Sequence, residues 1–333
     1  MQREKYDNLN GLRTYAAIGI ILMHVLTNGK YQLQGYLFDR IIPSFTDFVY
    51  LFMVISGFAM CCGYLEKMKN CQISLEEFYK KRYAKILPFF ATLIILDILI
   101  SPSVNSIYEA FTSLTLCFGL LPNANHTVIG VSWTLGVIFV FYLLFPFFSF
   151  LMANRKRAWF TFVVSIAYNF VCKNYYFNEE HMLSDYIDRT GFVFCAVYFV
   201  SGAIVYLYRK EIENSNCLIW LGISCLMIIV YYNIPSTLVN VGFSVALLGY
   251  AISKKKSRIL NNRFTKFISQ ISMEVYLCHM VIYRLLEKGN WIHIFQNHFL
   301  SYVTTSLMTV IGAIIFSFLL NLGISKLKGR IYA

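Results

Sequence analysis

Charge is scarce in this sequence. Asp, Glu, Lys and Arg make up 14% of its 333 residues, against 58% for the apolar set AVILMFWYC. A water-soluble domain could not cover that much apolar surface with so thin a charged shell, so the apolar side chains must face lipid. Also missing are a long polar segment, a low-complexity linker and any visible internal repeat, so function must reside in helices and short loops. Arg3, Glu4, Lys5 and Asp7 precede an apolar run that begins at Leu12 with no small-residue cleavage signature after it, which reads as an uncleaved first span. The nine cysteines include no C-x-x-C pair, and Cys61, Cys62, Cys172, Cys195, Cys225 and Cys278 fall in apolar runs. They read as small core residues, neither a redox motif nor a metal site.

What is present is a series of apolar runs long enough to cross a hydrocarbon core of roughly 30 Å, and only helices satisfy their own backbone groups there. The expected spans are 12–28, 45–64, 86–101, 131–152, 158–174, 190–208, 217–232, 236–252, 268–286 and 300–322. A weaker run at 109–121 is too short to cross and reads as interfacial or re-entrant. The expected fold is therefore an all-α polytopic transmembrane bundle of about ten spans, forming one domain over residues 1–333 with no soluble domain.

The formal net charge of +12 would suggest a nucleic-acid partner in a soluble protein. Here it is a topology signal. With ten spans and both termini cytoplasmic, 22 of the 29 basic residues fall inside, including Lys80 to Lys85, Arg155 to Arg157 and the Lys254 to Lys266 cluster. Counting 109–121 as a crossing would push Arg155, Lys156, Arg157 and the Lys254 to Lys266 cluster outside.

Two ionisable residues mark the first span. Arg13 and His24 are eleven helical steps apart, which turns the chain by about 1100° and rises about 16 Å, so both lie on one stripe. Arg13 can be read as a topology anchor to lipid phosphates or as one end of a ligand site at the cytoplasmic mouth. A lone intramembrane His is often a satisfied core residue, but His279 is expected at a similar depth, and two histidines at one level suggest a polar centre. Two histidines without further ligands do not make a metal site. Ser56 and Gly57 interrupt a bulky stretch and are expected to allow close helix packing. Lys81, Arg82 and Lys85 before Pro88 serve topology and also suit phosphate binding. Asp97 and Asn240 read as structural polar contacts, and Glu274 is expected near the cytoplasmic mouth, close to a lysine of 254–266.

Taken in order, Arg13-x10-His24, FxxxSGF of Phe52 to Phe58, basic-xx-basic-ILP of Arg82 to Pro88, SWTLGVIFVFYLLFP of Ser132 to Pro146 and IS-x3-YLCH of Ile271 to His279 resemble the acyltransferase-3 family of bacterial integral-membrane O-acyltransferases. The resemblance covers residues 5 to 320. It implies a multi-pass protein of the inner (cytoplasmic) membrane that moves an acyl group, usually acetyl, from cytoplasmic acyl-CoA (acetyl-CoA) to a hydroxyl of an envelope or extracellular polysaccharide or a lipid-linked sugar, with membrane lipids as its surroundings. It further implies His24 as the catalytic histidine, Arg13, Arg82 and Lys85 as contacts of the CoA phosphates and pantetheine, and Ser56, Trp133 and His279 as further substrate-binding positions, with no metal. Direct transfer with His24 as base and a covalent acyl-histidine are both open.

Three positions depart from the family pattern. Gly136 to Phe139 stand where many members have an acidic residue after the Trp motif, Tyr50 stands where many have Asp, and Lys85 replaces the second Arg of Arg-xx-Arg. A transporter or exporter of a glycan or small metabolite is the rival reading. An inverted repeat would favour it.

Overall fold

The protein is described by a computed structural model covering residues 6–100, 102–121, 129–176, 188–255 and 257–331. Arg3, Lys5 and Lys256 of the charge pattern, and Asn123, Asn125 and His126 of the loop before the fourth expected span, lie outside the described residues. Every described element is helical. The main helices are α1 (Leu9–Gly29), α2 (Phe48–Met60), α3 (Leu75–Ile100), α4 (Val104–Thr115), α5 (Trp133–Leu151), α6 (Arg155–Val171), α7 (Phe192–Leu207), α8 (Cys217–Asn233), α9 (Thr237–Ser253), α10 (Arg263–Gln270), α11 (Ser272–Lys288) and α12 (His298–Ile331).

Each expected span falls on a helix, with altered ends. Four helical runs are long and apolar enough to cross a membrane on that basis alone: Leu9–Gly29, Leu37–Lys69, Gly130–Leu151 and His298–Lys326. Phe192–Leu207, Cys217–Asn233 and Thr237–Ser253 are apolar but shorter; at about 1.5 Å per residue they span roughly 25 Å. The run expected at 268–286 is broken. Ile271 leaves helical geometry (φ −117°, ψ 16°), so α10 and α11 are separate pieces.

The loops rich in basic residues meet at one end of the bundle. Lys69 Nζ donates to the Ala153 carbonyl (3.1 Å), Arg155 reaches the Leu207 carbonyl (3.3 Å) and pairs with Glu211, and Asn8 Nδ2 donates to the Ala251 carbonyl (3.1 Å). This end is called the basic end below.

Packing follows the distribution of small and large residues. α2 and α7 cross at Gly57 and Gly202, where an added Cβ would collide with the carbonyl oxygens of Phe199 and Val54, respectively. That contact allows backbones to approach closely, as expected for Gly57. In α12, Ser301, Thr305, Thr309, Ala313 and Ser317 repeat every four residues and are buried, while Leu307, Ile311, Ile315 and Leu319 are exposed on the opposite face. Such an inverted surface, polar within and apolar without, is what a lipid solvent selects. Asn169 in α6 satisfies its buried amide on the Phe194 carbonyl (2.8 Å).

Candidate active site

A cavity of about 150 Å³ lies among residues of α1, α2, α3, α5, α10 and α11, with Arg13, five residues from Asn8 of the basic end, in its wall. The helix break at Ile271 builds part of its wall, because Ser269, Gln270 and Ser272 flank the interruption and line the space. Broken helices free backbone groups for polar contacts and are tolerated at membrane depth where they border a cavity. The break is held locally: the Asn262 side chain caps α10, Thr14 Oγ1 donates to the Thr265 carbonyl (3.1 Å), and Ser269 Oγ donates to Asn10 Oδ1 (2.9 Å).

Arg13, Ser56 and Lys85, three residues singled out in the sequence, share this cavity although they come from three helices. Glu274 also lines it. The charge acting on Glu274 is that of Lys85, and among the described residues none of the lysines of the 254–266 segment expected there takes that place. Arg82 does not line the cavity. Its guanidinium donates to Tyr64 Oη and lies 4.7 Å from the Tyr64 ring and 5.6 Å from that of Tyr142. Tyr142 lines the cavity and lies in the fields of Arg82 and Arg13. Arg82 therefore acts on the cavity through Tyr142, a residue that the sequence reading passed over inside an aromatic run. The five-residue π-helical turn Cys61–Leu65 at the end of α2 carries Tyr64 to Arg82. Such turns are frequent at functional sites.

Tyr276 links the cavity to the histidines. It lines the cavity; its Oη donates to the Val131 carbonyl (2.9 Å) and shares a hydrogen bond with Thr134 Oγ1 (2.9 Å). The His279 ring lies 5.8 Å from that of Tyr276, and the His24 ring 5.2 Å from that of His279. The shared depth expected of the two histidines becomes a ring contact. His279 is fully buried. Its Nδ1 abuts the Tyr276 carbonyl, which can only accept, so Nδ1 carries the proton and Nε2 presents a lone pair. That Nε2 has no hydrogen-bond partner among the described residues. His24 is half-buried.

Beyond the histidines lies Arg189. Its guanidinium sits 5.2 Å from the centre of Trp133, its Nη2 donates to Thr46 Oγ1 (2.9 Å), and its charge acts on His24, Tyr276 and Asp47. Trp133 is thus at the far end of the polar file, away from Arg13. Arg189 escaped the sequence reading because nothing in its local pattern separates it from an ordinary loop cation. Gly136, the first of the four residues that stand where many family members have an acidic one, packs directly on the turn at Phe118–Leu120; an added Cβ would collide with the Phe118 ring. No larger side chain fits there, and Glu274 is the carboxylate that the basic cavity holds.

The arrangement can hold an anionic ligand at the basic end, cover its length with Tyr142 and Tyr276, and present two imidazoles at its inner tip. Such a file suits acid–base work on a bound acyl donor. No curated protein and no solved structure matches the chain. A family model described as an acyltransferase domain matches residues 6–322, nearly the whole length. The chain belongs to the acyltransferase-3 family, a membrane protein built around an acyltransferase domain.

Proposed function

We propose that the protein is a membrane O-acyltransferase that carries an acyl group, acetyl as the default, from cytoplasmic acyl-CoA to a hydroxyl of an envelope or extracellular polysaccharide or lipid-linked sugar. The observation that carries this reading is the polar file beside α1, from Arg13 and Lys85 in the basic cavity through Tyr276 to the His24 and His279 pair. In this reading the bundle crosses the inner membrane about ten times with both ends cytoplasmic, which puts the basic end where CoA is found.

The CoA phosphates lie against Arg13 and Lys85, with Arg82 steadying Tyr142 beside them. The pantetheine arm points past Tyr276, which sets the thioester near the histidines. In direct transfer His24 takes the proton of the sugar hydroxyl as the oxygen attacks the thioester carbon; the C–O bond forms, the C–S bond breaks, and the thiolate leaves and is protonated to free CoA. His279, with Nδ1 fixed by a carbonyl, offers Nε2 as a neighbouring acceptor that holds His24 in place or shares its proton. In the acyl-histidine route an imidazole nitrogen attacks the thioester carbon, the C–N bond forms, the C–S bond breaks and CoA leaves; the sugar oxygen then attacks the acyl carbon, the C–O bond forms, the C–N bond breaks and the hydroxyl proton passes to the freed imidazole.

Purified full-length protein in proteoliposomes, given acetyl-CoA labelled in the acetyl group and de-O-acylated envelope glycan, should transfer label to glycan and release one free thiol per acetyl. Movement of unmodified glycan across the bilayer with no thiol release would instead establish a transporter.

A further inference from the structure

The chain that leaves α9 at the basic end and returns through α10 carries charge of one sign. No Asp or Glu lies between Glu213 and Glu274, while Lys254, Lys255, Lys256, Arg258, Arg263 and Lys266 follow in close order. Topology alone asks only that such charges be in the loop, at no particular place on the folded surface. Here they have a particular place. At 100° per residue, Lys266, Gln270, Arg263, Phe267 and Phe264 of α10 succeed one another around an arc of about 160°, and all five are exposed. Thr265 and Ile268 lie on the opposite side and are buried. The exposed arc therefore has two edges, cations along one and phenyl rings along the other.

The two edges meet different surroundings. The Phe267 ring lies 5.8 Å from that of Phe318 in α12, and Phe318 is exposed on the same apolar face as Ile311 and Ile315. The phenyl edge thus continues the surface that α12 turns to lipid, and the cation edge lies beside it, as in helices that rest at the headgroup boundary. Arg258, Arg263 and Lys266 are exposed, form no ion pair among the described residues and lie outside the basic cavity. The inner side of the segment is bound to α1: Tyr15 Oη donates to the Ile259 carbonyl (2.8 Å), and an added Cβ at Gly11 would collide with the Leu260 backbone. Ser269 and Gln270, at the end of α10, line the basic cavity. Whatever binds the outer face of α10 bears on a wall of that cavity.

We propose that the outer face of α10 is a binding site for anionic phospholipid, with the headgroup phosphate held by Arg263 and Lys266, Arg258 nearby, and the acyl chains against Phe264 and Phe267. Bound lipid steadies the cavity wall at Ser269 and Gln270. A soluble phosphate would meet the cations and leave the phenyl rings uncovered. A zwitterionic headgroup would bring its own ammonium to the cations and gain less from them.

The test titrates immobilised full-length protein in detergent with labelled phosphatidylglycerol or phosphatidylcholine. Phosphatidylglycerol should bind more tightly. Arg263→Gln combined with Lys266→Gln should weaken its binding about fivefold or more, the weight of one such cation at a membrane surface. Lys80→Gln combined with Lys156→Gln, which removes two exposed cations elsewhere at the basic end, should weaken it much less. Inorganic phosphate should displace the lipid no better than chloride at equal ionic strength. In bilayers, the amides of α10 should exchange hydrogen more slowly with phosphatidylglycerol present than in phosphatidylcholine alone, and the Arg263 and Lys266 double variant should lose that difference. Equal affinity for the two lipids, equal losses in the two double variants, or specific displacement by phosphate overturns the site. Unchanged exchange overturns its hold on the cavity wall. Neither measurement uses acyl transfer, so the site stands or falls apart from that reading.

Discussion

The two ends of the polar file differ in what they hold. The basic cavity has open volume and three charged walls, Arg13, Lys85 and Glu274. The His24 and His279 pair is packed, with one ring fully buried and the charge acting on His24, that of Arg189, supplied from the other end. Open volume with fixed charge is suited to gripping a large anion, whereas packed imidazoles are suited to moving a proton without water. Affinity and chemistry are therefore expected to separate on mutation, and each change below bears on that separation.

The largest expected effect is His24→Ala, which should lower transfer by at least about 10³-fold, within the range for loss of a positioned acid–base group, while leaving acyl-CoA binding intact. Transfer at the unaltered rate would remove the chemistry from the histidine pair. Next is Gly57→Leu, where the side chain would collide with the Phe199 backbone. Overpacking of this kind costs on the order of 1–3 kcal/mol or more, and the folded fraction on size exclusion should fall sharply. A normal yield would mean that α2 and α7 can part.

Arg13→Ala and Lys85→Ala should each raise the KM for acetyl-CoA about tenfold, or roughly 1.4 kcal/mol, with kcat nearly unchanged. An unchanged donor affinity for Arg13→Ala would mark that residue as a lipid anchor and break the comparison at its charged end. A smaller shift, about 1 kcal/mol for a lost hydrogen bond to the donor, is expected in donor binding for Tyr142→Phe, which removes the hydroxyl that lines the cavity with Arg13. The smallest effect is Arg155→Ala. The partner, Glu211, is fully exposed, and the Arg155 hydrogen bond holds its carboxyl below the ordinary carboxylate range. That pairing stabilises the fold above the unfolded carboxylate value and fades as pH falls through the depressed one. Transfer should be unaffected at neutral pH, since exposed pairs contribute little.

Much of this site was legible in the chain. The stripe from Arg13 to His24 follows from helical periodicity alone, and the depth of His279 follows from counting residues into its span. Ser56 and Lys85 were placed with Arg13 through the family resemblance, and the cavity brings them together. Other features were hidden. The roles of Arg82 and Tyr142 depend on a π-helical turn that rotates Tyr64 toward the guanidinium, and hydropathy is blind to one extra residue in a turn. The break at Ile271 escaped because 268–286 reads as one apolar run with no Pro or Gly in it.

Sequence by itself determined the solvent, the helical class and the direction of the charge gradient, because these are sums over many residues in which single contacts do not matter. It also determined which side chains share a helix stripe, since that geometry is local. Only the tertiary structure decided which stripes face one another: that His24 meets His279, that Lys85 answers Glu274, and that Arg189 reaches back over Trp133. Those pairings join residues 56 to 255 positions apart, ordered by helix packing at small-residue crossings such as Gly57 and Gly202. The approach of two backbones at such a crossing is a property of two helices together, and neither sequence segment carries it alone.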